Sequence, residues 1–148
     1  MTSTVHASAV LIGARAVLIQ GPSGSGKSRL ALALLTAEHP ARLPFVRLVA
    51  DDRVLLAAEH GRLLARSVPA LAGLIEVRGL GIRRVPFEPL AVIGLVVELG
   101  QPETHRLPDP ASREIEIAGI RLPRLAVAAG IDPLPLVLAQ LGTVDGLT

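Results

Sequence analysis

One eight-residue stretch restricts the possible folds of this chain more than any other: Gly21 to Ser28, which reads GPSGSGKS. It fits the pattern G-x-x-x-x-G-K-[ST]. The apolar segment Val10–Gln20 precedes this stretch. The residues from Ser28 to about Glu38 are rich in alanine and leucine, which predicts a helix that begins at the end of the glycine stretch. A glycine-rich turn before a helix is the structural alternative. The strand-like and helical flanks favour a loop that binds phosphate groups.

Each part of such a loop has a distinct role in phosphate binding. Glycines let backbone N–H groups curl around a polyphosphate, and the helix N-terminus adds partial positive charge. Lys27 is expected to reach the β- and γ-phosphate oxygens, while the Ser28 hydroxyl is offered to Mg²⁺. The predicted nucleotide-binding residues are Gly21, Pro22, Ser23, Gly24, Ser25, Gly26, Lys27 and Ser28.

The lysine in this loop is the only lysine among fifteen Lys and Arg residues. A compact ammonium fits among phosphate oxygens where the wide planar fork of arginine does not, whereas most surface sites accept either residue. A chain that otherwise uses arginine keeps lysine at this position. This supports a triphosphate site.

Composition narrows the class of protein. A chain of 148 residues, half of them apolar, is long enough for one domain, which we expect to span residues 1–148 as an α/β fold with strands covered on both faces. The absence of cysteine excludes disulfides, thiol catalysis and thiolate metal sites. The N-terminus has no basic segment and no apolar run is long enough to cross a bilayer, so we expect a cytoplasmic protein without membrane contact.

Nucleic-acid binding finds little support. The net charge is only +2, and Phe45 and Phe87 are the only aromatic residues. There is therefore no set of rings on which bases could stack.

Alternation of apolar runs and turn residues predicts the elements around the loop. We expect a hairpin or bent strand over Val10–Gln20, a hairpin around Glu59-His60-Gly61 and a central strand over Ala91–Leu99. A pair of short strands is expected to turn near Gly119, and a short helix to cover Asp132–Leu141.

Two adjacent carboxylates follow a predicted buried strand over Phe45–Ala50: Asp51 and Asp52. In open α/β sheets the carboxyl edge is where ligands bind. One aspartate is suited to face the Mg²⁺ shell, while its neighbour points the opposite way and accepts a proton from an attacking hydroxyl. A turn or helix cap is the alternative interpretation.

A second carboxylate lies in GLIEVRGLGI, Gly73 to Ile82. Glu76 is placed to join an aspartate around the metal, and Arg78 to meet phosphate oxygens. Gly79 and Gly81 suggest a close backbone approach or a bulge. An edge strand with an exposed Glu and Arg is the alternative.

These motifs together resemble the catalytic domain of HPr kinase/phosphorylase, particularly the short form without the N-terminal domain. The resemblance covers nearly the whole chain. It rests on His6 ahead of the strand before the loop, on GPSGSGKS, on LVADDRV (Leu48 to Val54) and on GLIEVRGLGI.

The resemblance implies a P-loop-containing mixed sheet with flanking helices, similar to phosphoenolpyruvate carboxykinase. It implies transfer of phosphate from Mg-ATP to a regulatory serine of HPr, which controls the phosphotransferase system and carbon metabolism, and a hexameric homo-oligomer. By motif it makes Lys27 and Ser28 ligands of phosphate and Mg²⁺, Glu76 a metal ligand, and one of Asp51 and Asp52, preferably Asp52, the base. It also adds His6 and Arg106 to the catalytic residues.

Three departures from the family pattern qualify this. The connection from the helix to Asp51 is enlarged, Arg83-Arg84 follows GLGI, and Leu122-Pro123-Arg124 is only a loose counterpart of the loop linked to dephosphorylation. Kinase activity is therefore better supported than phosphorylase activity. A P-loop kinase acting on a small metabolite and a non-catalytic ATP-binding regulatory module are the alternative functions.

Overall fold

The computed structural model describes residues 2–37, 45–102 and 109–143. Within them the chain forms eleven strands, two α-helices and two short 3₁₀ turns, Pro69–Leu71 and Pro110–Arg113. The strands and helices are β1 (Thr2–Val5), β2 (Ser8–Ile12), β3 (Arg15–Gln20), α1 (Lys27–Thr36), β4 (Val46–Ala50), β5 (Val54–Glu59), β6 (Arg62–Ser67), β7 (Leu74–Val77), β8 (Gly81–Arg84), β9 (Ala91–Gln101), β10 (Glu114–Ile117), β11 (Ile120–Ala128) and α2 (Pro133–Gly142).

Strand directions bring several strand ends to one edge of the sheet. β9 pairs in parallel with β3 and with β11 on its two sides. β2 pairs antiparallel with both β3 and β4, so β4 runs in the same direction as β3. The carboxyl ends of β3, β4, β9 and β11 therefore meet at the same edge, together with the beginning of β2. We call this the carboxyl edge.

Both faces of the central strands are buried. Along β3, Ala16 and Leu18 pack into one apolar cluster, whereas Val17 and Ile19 pack into the other. The first cluster lies where the sheet curls through β5 and β6, and the second contains residues of α1 and α2. This confirms the expectation of strands covered on both faces, although most neighbouring strands are antiparallel.

Most of the predicted local elements are present. β2 and β3 form the hairpin expected over Val10–Gln20, and β5 and β6 turn at His60 and Gly61. β9 extends two residues beyond the predicted central strand. α2 begins after Asp132, whose carboxylate accepts a hydrogen bond from the Leu134 N–H (3.1 Å).

Neither helix in the described ranges has the length and apolar character needed to cross a membrane.

Candidate functional site

The glycine loop connects β3 to α1 at the carboxyl edge. The Ser25 N–H donates to the Pro22 carbonyl (3.0 Å), which closes a turn inside the loop. Gly26 has a φ of +100°, a left-handed conformation that disfavours side chains. A Cβ on Gly21 would stand 2.5 Å from Ser25 Oγ and 3.2 Å from the Leu99 carbonyl oxygen. Gly26 is thus favoured by backbone conformation alone, whereas Gly21 combines a positive φ of +157° with close neighbouring atoms.

Lys27, the first residue of α1, folds its side chain back over the loop. Its ammonium donates to the Gly21 carbonyl (2.8 Å) and to the Pro22 carbonyl (3.1 Å). The charge therefore lies over the loop that is predicted to bind phosphate. Its contact with phosphate oxygens stays a prediction.

Asp51 joins three parts of the carboxyl edge. Its Oδ1 accepts hydrogen bonds from the Ser8 hydroxyl (2.7 Å) and from the Ser28 hydroxyl (2.7 Å). Its Oδ2 accepts one from the Glu76 N–H (3.2 Å). Asp51 is only 5% exposed. Three donors stabilise the charge of this buried carboxylate, and through them Asp51 connects the loop, β2 and β7.

Asp52 and His6 lie on the solvent side of the same edge. Asp52 is exposed and has a φ of +67°, so its side chain diverges from that of Asp51. Its carbonyl accepts a hydrogen bond from the Ala7 N–H (3.2 Å), which places His6, exposed in the bend between β1 and β2, beside this turn. The buried and exposed aspartates therefore have separate environments, and their roles as metal-side carboxylate and base stay predictions.

Glu76 lies on β7, which pairs with β8 in an antiparallel hairpin. Its backbone N–H donates a hydrogen bond to Asp51. Glu76 itself is exposed and is paired with Ile82 of β8. The strand is thus beside Asp51, and the metal-ligand role of Glu76 stays a prediction. Gly79 and Gly81 have positive φ values and open space where a Cβ would stand. The expected close backbone approach is wrong, since the turn itself explains both glycines.

Arg106, predicted to be catalytic, lies outside the described residues, so its role stays a prediction. Ser8, which donates to Asp51, was missed by sequence reasoning. Its only signal is a hydroxyl within a run that is otherwise apolar from Ala7 to Ile12.

The residues at this edge fit a magnesium nucleotide. Ser25 Oγ is buried and has no hydrogen-bond partner, although buried hydroxyls are normally paired. Ser28 and Asp51 present adjacent oxygens, the donor type that Mg²⁺ prefers. In the described ranges no group of three or more His, Cys, Asp or Glu side chains converges. Mg²⁺ in nucleotide sites typically needs only one or two carboxylates because phosphate supplies further oxygens.

Comparison with known proteins gives consistent matches. The family model described as HPr Serine kinase C-terminal domain matches residues 1–129. The HPr kinase/phosphorylase of Streptococcus thermophilus is 35% identical over 136 residues, 84% of this chain and 42% of that protein. That of Streptococcus pneumoniae is 34% identical over the same shares. This chain therefore spans about two fifths of the length of these relatives.

A solved structure is similar over nearly its full length. It is described as the Hpr(Ser) kinase/phosphatase from Coxiella burnetii, with a TM-score of 0.71 and 32% sequence identity. The match covers 95% of this chain and 93% of that one. The mixed α/β fold predicted from the sequence is confirmed.

Proposed function

The chain belongs to the HPr serine kinase C-terminal domain family, and from this membership we propose that it is a protein serine kinase acting on the phosphocarrier protein HPr. The proposed reaction moves the γ-phosphoryl group of ATP to a regulatory serine hydroxyl. The bond between the γ-phosphorus and the bridging oxygen breaks, a phosphoserine ester forms, and ADP is released. The observation that carries the proposal is the hydrogen bond from the Ser28 hydroxyl to Asp51. It joins the glycine loop of residues 21–28, from here on called the phosphate loop, to the carboxylate pair.

Each side chain at the carboxyl edge has a separate proposed role in the transfer. Mg²⁺, when bound, neutralises charge that develops on the phosphates. Ser28 and Glu76 are the proposed metal ligands, and Asp51 orients the Ser28 hydroxyl through its 2.7 Å hydrogen bond. Lys27 supplies the fixed positive charge over the loop.

Asp52 is the proposed base for the serine proton. It is exposed, lies next to the loop-linked Asp51, and is therefore accessible to a hydroxyl on a protein surface. His6 and Arg106 complete the catalytic set by resemblance. Catalysis of this kind depends on positioning and charge neutralisation rather than on a covalent enzyme intermediate.

The proposal covers the kinase direction. The arginine in Leu122-Pro123-Arg124 is engaged elsewhere: its Nε donates to Glu98 Oε1 (2.5 Å) and its Nη1 to the Ser112 carbonyl (2.9 Å). These contacts favour a packing role over phosphate binding for Arg124. The expectations of one domain over residues 1–148 and of a hexamer stay predictions.

The test is a phosphoserine assay with the intact chain, ATP, Mg²⁺ and HPr, read by mass spectrometry. We expect transfer by the natural sequence, and a loss of at least about 100-fold for both Lys27→Ala and Lys27→Arg. The converse swap Arg62→Lys, at the exposed first residue of β6, is the matched control and is expected to leave the rate unchanged. Failure of the intact chain to phosphorylate HPr, or full activity of Lys27→Ala, contradicts the proposal.

A second variant separates the enzyme from a nucleotide-binding regulator. Asp52→Asn is expected to retain ATP binding and to lose transfer, because the amide does not accept the serine proton. Unchanged transfer by this variant would rule out Asp52 as the base. Binding of ATP without any transfer in the natural sequence would favour the non-catalytic alternative.

A further inference from the structure

A cavity of about 170 Å³ lies against the phosphate loop, separate from the carboxylates. Gly24 and Ser25 of the loop form one wall, and Leu99 and Gly100 at the end of β9 form the next. Residues 127–131, where β11 ends, and Pro133 complete it. The cavity therefore sits at the carboxyl edge, between the loop and the turn that leads to α2.

The order of strands places this cavity on the far side of the loop from Asp51. Across the sheet the order is β4, β2, β3, β9 and then β11. Asp51 follows β4, the glycine loop follows β3, and the cavity is formed at the ends of β9 and β11. The loop thus has the catalytic carboxylates on one side and the cavity on the other.

The lining suits an uncharged group. None of the residues that line the cavity carries a charge, and apart from Ser25 their side chains are apolar or absent. Its volume is well below the roughly 300–1,000 Å³ of pockets that enclose a whole small ligand, so it is suited to one part of a larger ligand. Ser25, whose Oγ is buried and has no hydrogen-bond partner, also lies in the wall.

We propose that this cavity binds the nucleoside end of the nucleotide, with the base packed between the β9 end and residues 127–131. The inference rests on the proposed function. Transfer requires the terminal phosphate to lie on the Asp51 and Asp52 side of the loop. An extended triphosphate held by the loop then directs its opposite end away from the carboxylates, towards β9 and β11.

This assignment predicts how the protein recognises its nucleotide. The phosphate loop contributes the charge-dependent part of the affinity, and the cavity contributes apolar packing and contacts with the backbone. Removal of the nucleoside therefore weakens binding, and filling the cavity weakens ATP binding alone. Tripolyphosphate is the probe that separates the two parts.

The experiment is calorimetric titration of the intact chain with ATP and with tripolyphosphate, each in the presence of Mg²⁺. The natural sequence is expected to bind ATP about tenfold more tightly than tripolyphosphate. Ala129→Leu, which adds bulk to the wall, and Ile131→Ala, which removes part of it, are expected to abolish most of this difference. Leu90→Ala, an exposed apolar truncation before the opposite end of β9, is the control and leaves both affinities unchanged.

A second measurement does not depend on any variant. Hydrogen exchange is expected to show that ATP protects backbone amides of residues 127–131 and that tripolyphosphate does not. Equal affinity for the two ligands together with equal protection would overturn the cavity assignment while leaving the phosphate site intact. Binding of neither ligand would overturn the proposed function and this inference with it.

Discussion

At the scale of single residues, Asp51 owes its position to a serine that no motif includes. Ser8 is fully buried and donates to the same oxygen that Ser28 contacts. A carboxylate in a site of this kind needs donors for its lone pairs, because an unsatisfied buried charge is costly. Ser8 is therefore a positioning residue that keeps Asp51 directed at the phosphate loop.

Replacing Ser8 by alanine tests this role. We expect the Ser8→Ala variant to lose about 1.5–3 kcal/mol of unfolding free energy, the usual range for a hydrogen bond to a charged group. We also expect slower phosphate transfer, because Asp51 loses one of its three donors. Urea denaturation and the phosphoserine assay measure the two effects.

Ser67→Ala provides the comparison. Ser67 is another buried serine, at the end of β6, and it is not among the three donors to Asp51. Its replacement is expected to leave transfer unchanged. A Ser8→Ala protein with normal stability and normal transfer would show that Ser28 and Glu76 suffice to hold Asp51.

At the scale of elements, the β7–β8 hairpin depends on its contacts with the rest of the fold. An isolated two-stranded hairpin is marginally stable in water. Ile75, only 1% exposed, packs in the cluster that contains Leu30 and Leu34 of α1. This contact and the bond from the Glu76 N–H to Asp51 hold the hairpin beside the carboxylates.

The two isoleucines of this hairpin make a matched pair for mutation. Ile75→Ala is expected to cost about 2–5 kcal/mol of stability, because it opens a cavity between the hairpin and α1. Ile82 is 64% exposed, so Ile82→Ala is expected to change stability by less than about 0.5 kcal/mol. Chemical denaturation of both variants measures the difference, and equal losses would show that Ile75 does not anchor the hairpin.

Most elements were predictable because their signals are local. The turn at His60-Gly61, the two apolar runs of β2 and β3 and the Asp132 cap each depend on a few neighbouring residues. The role of Gly79 and Gly81 was misjudged for the same reason: sequence shows that glycine is present but not whether φ or crowding requires it.

At the scale of the whole molecule, ligand binding should be visible as stabilisation, since only the folded chain assembles the carboxyl edge. Binding at 100 times Kd adds about 2.7 kcal/mol of stability. For a chain of 148 residues, with about 2–4 °C per kcal/mol, this corresponds to a rise in Tm of about 5–10 °C.

Thermal unfolding with and without Mg-ATP at this ratio to the measured Kd checks the value. The Lys27→Ala variant, given the same ATP concentration, is the control, and its Tm is expected to change little because it lacks the charge over the loop. An equal rise in both proteins would place ATP outside the phosphate loop.

The sequence by itself determined the glycine loop, its flanking strand and helix, and the chemical types of the candidate ligands. These follow from contiguous residues: glycines that permit unusual backbone conformations, a lone lysine, and carboxylates after a buried strand. Only the tertiary structure decided that Ser8, Ser28 and Glu76 share one carboxylate, and that the ends of β9 and β11 form a cavity behind the loop. Those contacts join residues more than twenty positions apart through strand pairing, and local patterns carry no record of which strands become neighbours.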